Sequence, residues 1–233
     1  MLLVSLYHFC VTLLRYTQLS SMVKIKETYF LNQVDVAVDN ALNTPEILTQ
    51  LAVYGYDEKK IKQGRAMRMA LDELMMQQED AHLAAKDATR VLNEARQQVD
   101  TLFSTHLSIA RIAFRDDITF WNALKLGQAR ERNLPDWLTQ VQRFYTRIAV
   151  VAKQMERYNV PQKELIETRK LIAQIGGLQR LQKKAKGQAQ VATQDKNNAI
   201  NDLELWMRRF MRIARVALDE NPQQLEMLGV VVQ

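Results

Sequence analysis

From Met67 to Ala113, residues of the kinds that fill helix cores recur alternately every three and every four positions. The same pattern occurs again 104 residues later in the chain. Residues at this spacing share one face of an α-helix, so each run predicts a helix with a continuous buried seam. The first seam is Met67, Leu71, Leu74, Gln78, Ala81, Ala85, Ala88, Leu92, Ala95, Val99, Leu102, His106, Ile109 and Ala113, and the second is Leu171, Ile175, Leu178, Gln182, Ala185, Ala189, Ala192, Lys196, Ala199, Leu203, Trp206, Phe210, Ile213 and Ala217. The sequence therefore predicts a tandem repeat of two similar halves.

The composition supports a helical protein. The 233 residues include only seven glycines and four prolines, which are the two residues that most strongly interrupt helices. The predicted fold class is all-α, with a long Ala-rich segment in each half and the two segments packed side by side in an elongated bundle. Each long segment is expected either as one helix or as a hairpin that folds back, in the first half near residues 82–88.

Turn and capping residues divide the chain. We predict an N-terminal extension at 1–21, a first repeat at 22–127, a linker at 128–136 and a second repeat at 137–233. In the first repeat, an amphipathic helix is expected at 25–42, and Thr44 and Pro45 open a short helix that ends at Gly55. Asp57 is expected to cap the long helix, and Asp116-Asp117 to cap the closing helix. Gly127 and Gly229 are expected to end the two closing helices, and Asn221 with Pro222 to begin the second of them.

Residues 1–21 contain an apolar segment, MLLVSLYHFCVTLL, that is shorter than the roughly 20 residues needed to span a bilayer. The segment lacks the basic start and the small-residue cleavage site of a signal peptide. Because the helical pattern begins after Met22, we interpret 1–21 as an upstream extension or a tail. A membrane-associating helix and a signal peptide are the alternatives.

Matched motifs recur in both halves, among them Ile109-Ala110-Arg111 and Ile213-Ala214-Arg215. With its turn, long Ala-rich segment and short closing helix in each half, the chain over about 28–232 resembles a bacterial family of all-helical proteins with two such repeats. That family has no assigned activity. The resemblance implies the fold and implies nothing about function.

Catalytic and metal sites are not predicted. Glu79 and His82 have the Glu-x-x-His spacing of a di-iron ligand pair, but such a site needs the motif twice, and Lys183 and Lys186 stand at the matching positions of the second repeat. The single cysteine, Cys10, excludes an intramolecular disulfide and suits a cytoplasmic location. We expect no cofactor, no metal and no enzymatic activity.

Three polar residues occupy seam positions. His106 is expected to be a buried or half-buried structural imidazole rather than a catalytic one, because the second repeat has Phe210 at the matching position. Gln78 and Gln182 match each other, and a polar residue within an apolar seam commonly sets helix register. Gly176 and Gly177 are expected to mark a kink or a close helix approach.

Basic residues are concentrated in the second half, where residues 137–233 contain 16 basic and 9 acidic side chains. Candidate contacts to nucleic acid are Arg180, Lys183, Lys184, Lys186, Arg208, Arg209 and Arg212, followed by Arg215. A solvated helix face explains the same residues. The favoured function is a non-enzymatic structural or protein-interaction protein that binds a partner or a second copy. The alternatives are a nucleic-acid-binding module and a membrane-associated protein that uses residues 1–21.

Overall fold

The computed structural model describes residues 26–230, and every regular element within this range is helical. The α-helices are α1 (26–43), α2 (Pro45–Val53), α3 (Glu58–Ala113), α4 (Ile118–Leu124), α5 (Leu134–Ile148), α6 (Ala152–Glu156), α7 (Gln162–Ala217) and α8 (Pro222–Met227), with a 3-10 turn at Ala149–Val151 before α6. The all-α prediction is confirmed for the described residues. The predictions for residues 1–21 lie outside them.

The two long helices, α3 and α7, each contain 56 residues. Their bounds differ by 104 residues, as the seams do. Both run uninterrupted, so the alternative of a hairpin near residues 82–88 is wrong. Gly176 and Gly177 lie inside α7, and a Cβ atom at either would meet only the guanidinium of Arg180, at 3.9 and 4.0 Å. Of the two alternatives expected at this glycine pair, the close helix approach is therefore absent, and α7 continues as one helix through both residues.

Several predicted caps are confirmed. Asp57 Oδ1 accepts a hydrogen bond of 2.8 Å from the backbone N–H of Lys60, and Asp117 Oδ1 accepts from Thr119 and Phe120 at the start of α4. Gly55 and Gly229 adopt φ angles of 82° and 80°, in the left-handed region that glycine tolerates best. These interactions satisfy backbone groups that helix ends would otherwise leave unpaired.

The predicted end of α4 is wrong, because the helix ends at Leu124 and the left-handed residue is Lys125, with φ 54°, rather than Gly127. The N–H of Leu126 donates to the carbonyl of Trp121 at 3.1 Å, as in a Schellman motif. Leu126 is fully buried by this turn. Burial of a leucine side chain, worth about 2 kcal/mol, offsets the cost of about 1 kcal/mol for a left-handed lysine.

The described residues form two compact units. Unit 1 combines the chain up to Gln78 with the chain from Ala192, and unit 2 is Glu79–Val191. Each predicted half therefore contributes to both units, because the divisions fall inside α3 and α7. In addition, α5 begins at Leu134, within the predicted linker, where the Asn133 side chain accepts a hydrogen bond from the N–H of Asp136.

Unit 1 packs α1, α2 and α8 against its parts of the two long helices. α1 buries one face, with Leu31, Val34, Ala37, Val38 and Ala41 at helical spacing. Around them, Trp206 stacks on Phe210 with ring centroids 5.2 Å apart, and Tyr56 lies 5.5 Å from the same phenyl ring. In unit 1 the aromatic side chains of α7 thus pack against Tyr56, which lies just before α3.

Unit 2 packs α4, α5 and α6 against the other parts of α3 and α7. Its largest buried side chains include Trp137, Tyr145, Phe103, Phe114 and Ile148. The indole N–H of Trp137 donates to Asp100 Oδ1 at 2.8 Å, and Arg130 forms an ion pair with the same carboxylate. Burial opposes ionisation of Asp100, but the hydrogen bonds from Arg130 and Trp137 outweigh it and lower the pKa of the carboxyl group.

Every position of both predicted seams is buried or half-buried. Leu71, Leu92 and Val99 of the first seam and Ile175, Leu203 and Phe210 of the second are among the buried residues. Even Lys196, a charged residue at a seam position, is nearly buried and pairs with Glu27 of α1 at 3.1 Å. The seam prediction is confirmed.

Candidate functional site

The seven basic residues singled out from the sequence are all exposed, and the structure places them in different units. Arg180, Lys183, Lys184 and Lys186 belong to unit 2, and Arg208, Arg209 and Arg212 belong to unit 1. We therefore treat them as two groups.

The group in unit 2 lies in a basic strip of α7, which we define as residues 180–186. No aspartate or glutamate occurs between Glu167 and Asp195, so no acidic residue of that part of α7 offsets the charge. The strip also contains Leu181, whose side chain is 59% exposed. Basic charge and exposed apolar surface therefore occur together on this helix.

α3 combines negative charge with exposed apolar surface in an acidic strip, which we define as residues 69–80. Met69 and Met76 are 63% and 61% exposed, and their spacing of seven residues places them on one face of the helix. The same strip contains Asp72, which forms an ion pair with Arg68, and the further carboxylates of Glu73, Glu79 and Asp80. No lysine or arginine occurs between Arg68 and Lys86. Sequence reasoning missed this strip because Met69 and Met76 lie outside the seam, and helical periodicity identifies only the seam residues.

Hydrogen bonds connect the long helices at the two seam glutamines. In unit 1, Gln78 Nε2 donates to Thr193 Oγ1 at 3.2 Å, and in unit 2, Gln182 Nε2 donates to Thr89 Oγ1 at the same distance. The two pairs are related by the 104-residue offset. The sequence indicated the glutamines but not their threonine partners, which lie one position away from each seam.

His106 is fully buried in unit 2, in agreement with the sequence prediction. Its Nδ1 lies 2.6 Å from the hydroxyl oxygen of Tyr145, and its Nε2 lies 2.9 Å from Glu164 Oε1. Burial raises the pKa of Tyr145 above its ordinary range, and the negative charge of Glu164 adds to this, while the hydrogen bond with the Thr168 side chain opposes it. The side chain of Thr168, which also is buried, donates to the backbone carbonyl of Glu164 at 2.8 Å.

Both imidazole nitrogens of His106 have partners, and the tyrosine that holds one of them is only 1% exposed. A general base needs access to the proton that it removes, within hydrogen-bond reach. Because both of its ring nitrogens are hydrogen-bonded within the protein, His106 connects α3, α5 and α7, while the Glu164 side chain is 39% exposed. Sequence reasoning missed Tyr145 and Glu164, since neither lies on a seam.

The Glu79-x-x-His82 pair lies on α3, where both side chains are exposed. Within residues 26–230, no group of three or more His, Cys, Asp or Glu side chains is arranged so that it could hold a metal ion. In the same range, no helix combines the length and apolar character required to cross a membrane.

Comparisons of the chain with protein-family models, curated proteins and solved structures found no match. The functional interpretation therefore rests on the surfaces and charges of the molecule itself.

Proposed function

We propose that this chain is a non-enzymatic protein-interaction protein whose long helices bind another helical chain, and that a second copy of the chain is the partner. The observation that carries the proposal is the acidic strip of α3. Met69 and Met76 present apolar surface at a spacing of seven residues, which is the spacing used by helices that pair.

Charge complementarity favours a second copy as the partner. Beside its apolar side chains, the acidic strip offers the carboxylates of Glu73, Glu79 and Asp80 in addition to Asp72, which pairs with Arg68. The basic strip of α7 combines Leu181 with four cations. Opposite charges beside an apolar contact promote encounter and set orientation. In a twofold dimer, the strip-to-strip contact occurs twice, because each copy supplies both surfaces.

The tandem repeat, membership of the bacterial family and a cytoplasmic location are further parts of this proposal. The bounds of α3 and α7 differ by 104 residues. The left-handed residues show the same offset, from Gly55 to Asn159 and from Lys125 to Gly229. These matches support duplication of one helical unit, and the single cysteine supports a reducing compartment.

Analytical ultracentrifugation of the full chain tests the proposal. We expect a dimer at low ionic strength that dissociates at about 1 M salt, where the Debye length is only about 3 Å. Met69→Glu with Met76→Glu should give a monomer, because it replaces the apolar contact with charge inside an acidic strip. The matched control is Ala70→Glu with Gln77→Glu, which adds the same charge at the same spacing on a neighbouring face.

The control should remain dimeric, and the circular dichroism melts of both variants should match that of the wild type. A wild-type chain that stays monomeric at all accessible concentrations would show that self-association is wrong. Equal loss of the dimer in both variants would show that net charge, rather than the Met69 and Met76 face, controls association.

Nucleic-acid binding through the basic strip is the second candidate function. The observation in its favour is that the four cations are exposed and that no acidic residue lies between Glu167 and Asp195. Substitution of Lys183, Lys184 and Lys186 by Gln should then abolish retention of nucleic acid, and salt should weaken binding steeply through counterion release. Protein purified at low salt that carries no nucleic acid before nuclease treatment would exclude this function.

A further inference from the structure

A groove of about 620 Å³ lies in unit 1, where α1, α7 and the segment after α8 meet. Its apolar lining includes Phe30 from α1, Met207 and Met211 from α7, and Val230. Met207 is buried and Met211 is half-buried, so the two thioethers form part of its inner surface. A volume of this size is typical of small-molecule sites.

Arginine side chains line the same groove along α7. Arg208 forms an ion pair with Glu204 at 2.7 Å, which neutralises its charge. Arg212 and Arg215 follow on the same face, and neither takes part in an ion pair within the described range 26–230. Three residues apart on a helix, these two guanidinium groups are neighbours and can hold one anionic group together.

We propose that this groove binds a single-chain anionic lipid, with the hydrocarbon chain against Phe30, Met207 and Met211 and the anionic head on Arg212 and Arg215. Methionine side chains adapt their shape to an apolar ligand more readily than branched side chains do. At the other end of the arginine row, Arg208 is paired with Glu204 and offers no free positive charge to the anionic head. The lipid therefore binds in one orientation.

Laurate is the probe, used below its micelle concentration with the full chain labelled at the methionine methyl groups. We expect laurate to shift the NMR signals of Met207 and Met211, assigned through Met→Leu variants, and to leave the signal of Met155 in the core of unit 2 unchanged. Monolaurin, which has the same chain and an uncharged head, should bind at least about tenfold more weakly, because it forms no charge-assisted hydrogen bonds with arginine.

Arg212→Gln with Arg215→Gln should weaken laurate binding by at least about tenfold. The control is Lys59→Gln with Arg209→Gln, which removes two exposed cations of unit 1 outside the groove and should leave laurate affinity unchanged. All four substitutions lie on exposed side chains, so neither variant should alter the thermal melt.

Three results would each overturn the proposal. They are equal laurate affinity of the wild type and the Arg212 and Arg215 variant, equal wild-type affinity for laurate and monolaurin, and the absence of any shift of the Met207 and Met211 signals. A response of these signals to an acidic amphipathic peptide but not to laurate would assign the groove to a protein segment instead. A response to protein concentration alone would assign it to contact between copies. Because the lipid groove and the strips on α3 and α7 are tested by different variants, either proposal can fail without the other.

Discussion

The indole ring of Trp206 lies directly over Gly64, so close that a Cβ atom at Gly64 would be 2.3 Å from Cη2 of the ring. Trp206 cannot easily withdraw, because it is stacked on Phe210 and contacts Tyr56 at its edge. Both residues belong to unit 1. The glycine therefore allows α3 to approach the aromatic cluster of α7.

Gly64→Ala should destabilise the protein by about 1 kcal/mol or more, because it overpacks this contact. In a helix without such a neighbour, the same substitution stabilises by about 0.5–1 kcal/mol. Gly187→Ala is the matched control, since Gly187 also lies inside a long helix and a Cβ atom there would meet nothing within 4 Å. Opposite signs in urea denaturation are expected, and stabilisation by both would contradict the Gly64–Trp206 contact.

Ala189 is a buried seam residue of α7 in unit 2, and its replacement tests close packing there. Ala189→Leu should destabilise by about 1–3 kcal/mol, because the added side chain has no space. Leucine is nearly as good a helix former as alanine, so helix propensity contributes little. Gln190→Leu, at the adjacent exposed position, should change the free energy of unfolding by less than about 0.5 kcal/mol.

Asp100 should make unfolding pH-dependent. Its folded-state pKa lies below the ordinary value because Arg130 and Trp137 donate hydrogen bonds to the carboxylate. The ionised group therefore contributes stability that is complete above the usual carboxyl pKa of about 4 and is lost as pH falls through the lower folded-state value. Asp100→Asn should be less stable than the wild type at neutral pH, and the difference should narrow in acid.

The measurement is urea denaturation of wild type and Asp100→Asn from pH 7 to pH 3. Asp202→Asn, which removes a negative charge from an exposed site, is the control. A wild-type advantage over Asp100→Asn that stays constant across this range would show that the stability does not come from ionisation of Asp100.

Helical periodicity and capping chemistry predicted the helical segments, their seams and most of their boundaries, but did not decide between one long helix and a hairpin in each half. Both signals are local, since they depend on residues within one or two turns. The end of α4 could not be predicted from them, because burial of Leu126, a tertiary effect, places the left-handed turn at Lys125 rather than at a glycine.

The partners of the seam residues could not be predicted for a related reason. A period shows which face of a helix is buried but not which residue lies opposite, so the sequence indicated His106 but not Tyr145 or Glu164. The contact of Gly64 with Trp206 joins residues far apart in sequence and leaves no periodic signal. The basic strip was identified from the sequence alone, whereas the acidic strip is recognisable only after the buried seam positions of α3 have been set aside.

The pairing of α3 and α7 along their seams is tested most directly by two double-mutant cycles, one for Gln78 with Thr193 and one for Gln182 with Thr89. Each cycle combines Gln→Ala with Thr→Val. If the glutamines set the helix register, the glutamine and threonine side chains should show a favourable coupling free energy of about 0.5–1.5 kcal/mol in both cycles. A third cycle, with exposed Gln77 in place of Gln78, should show none. Coupling in both seam cycles is the predicted result, whereas coupling indistinguishable from that of the Gln77 cycle would contradict the pairing.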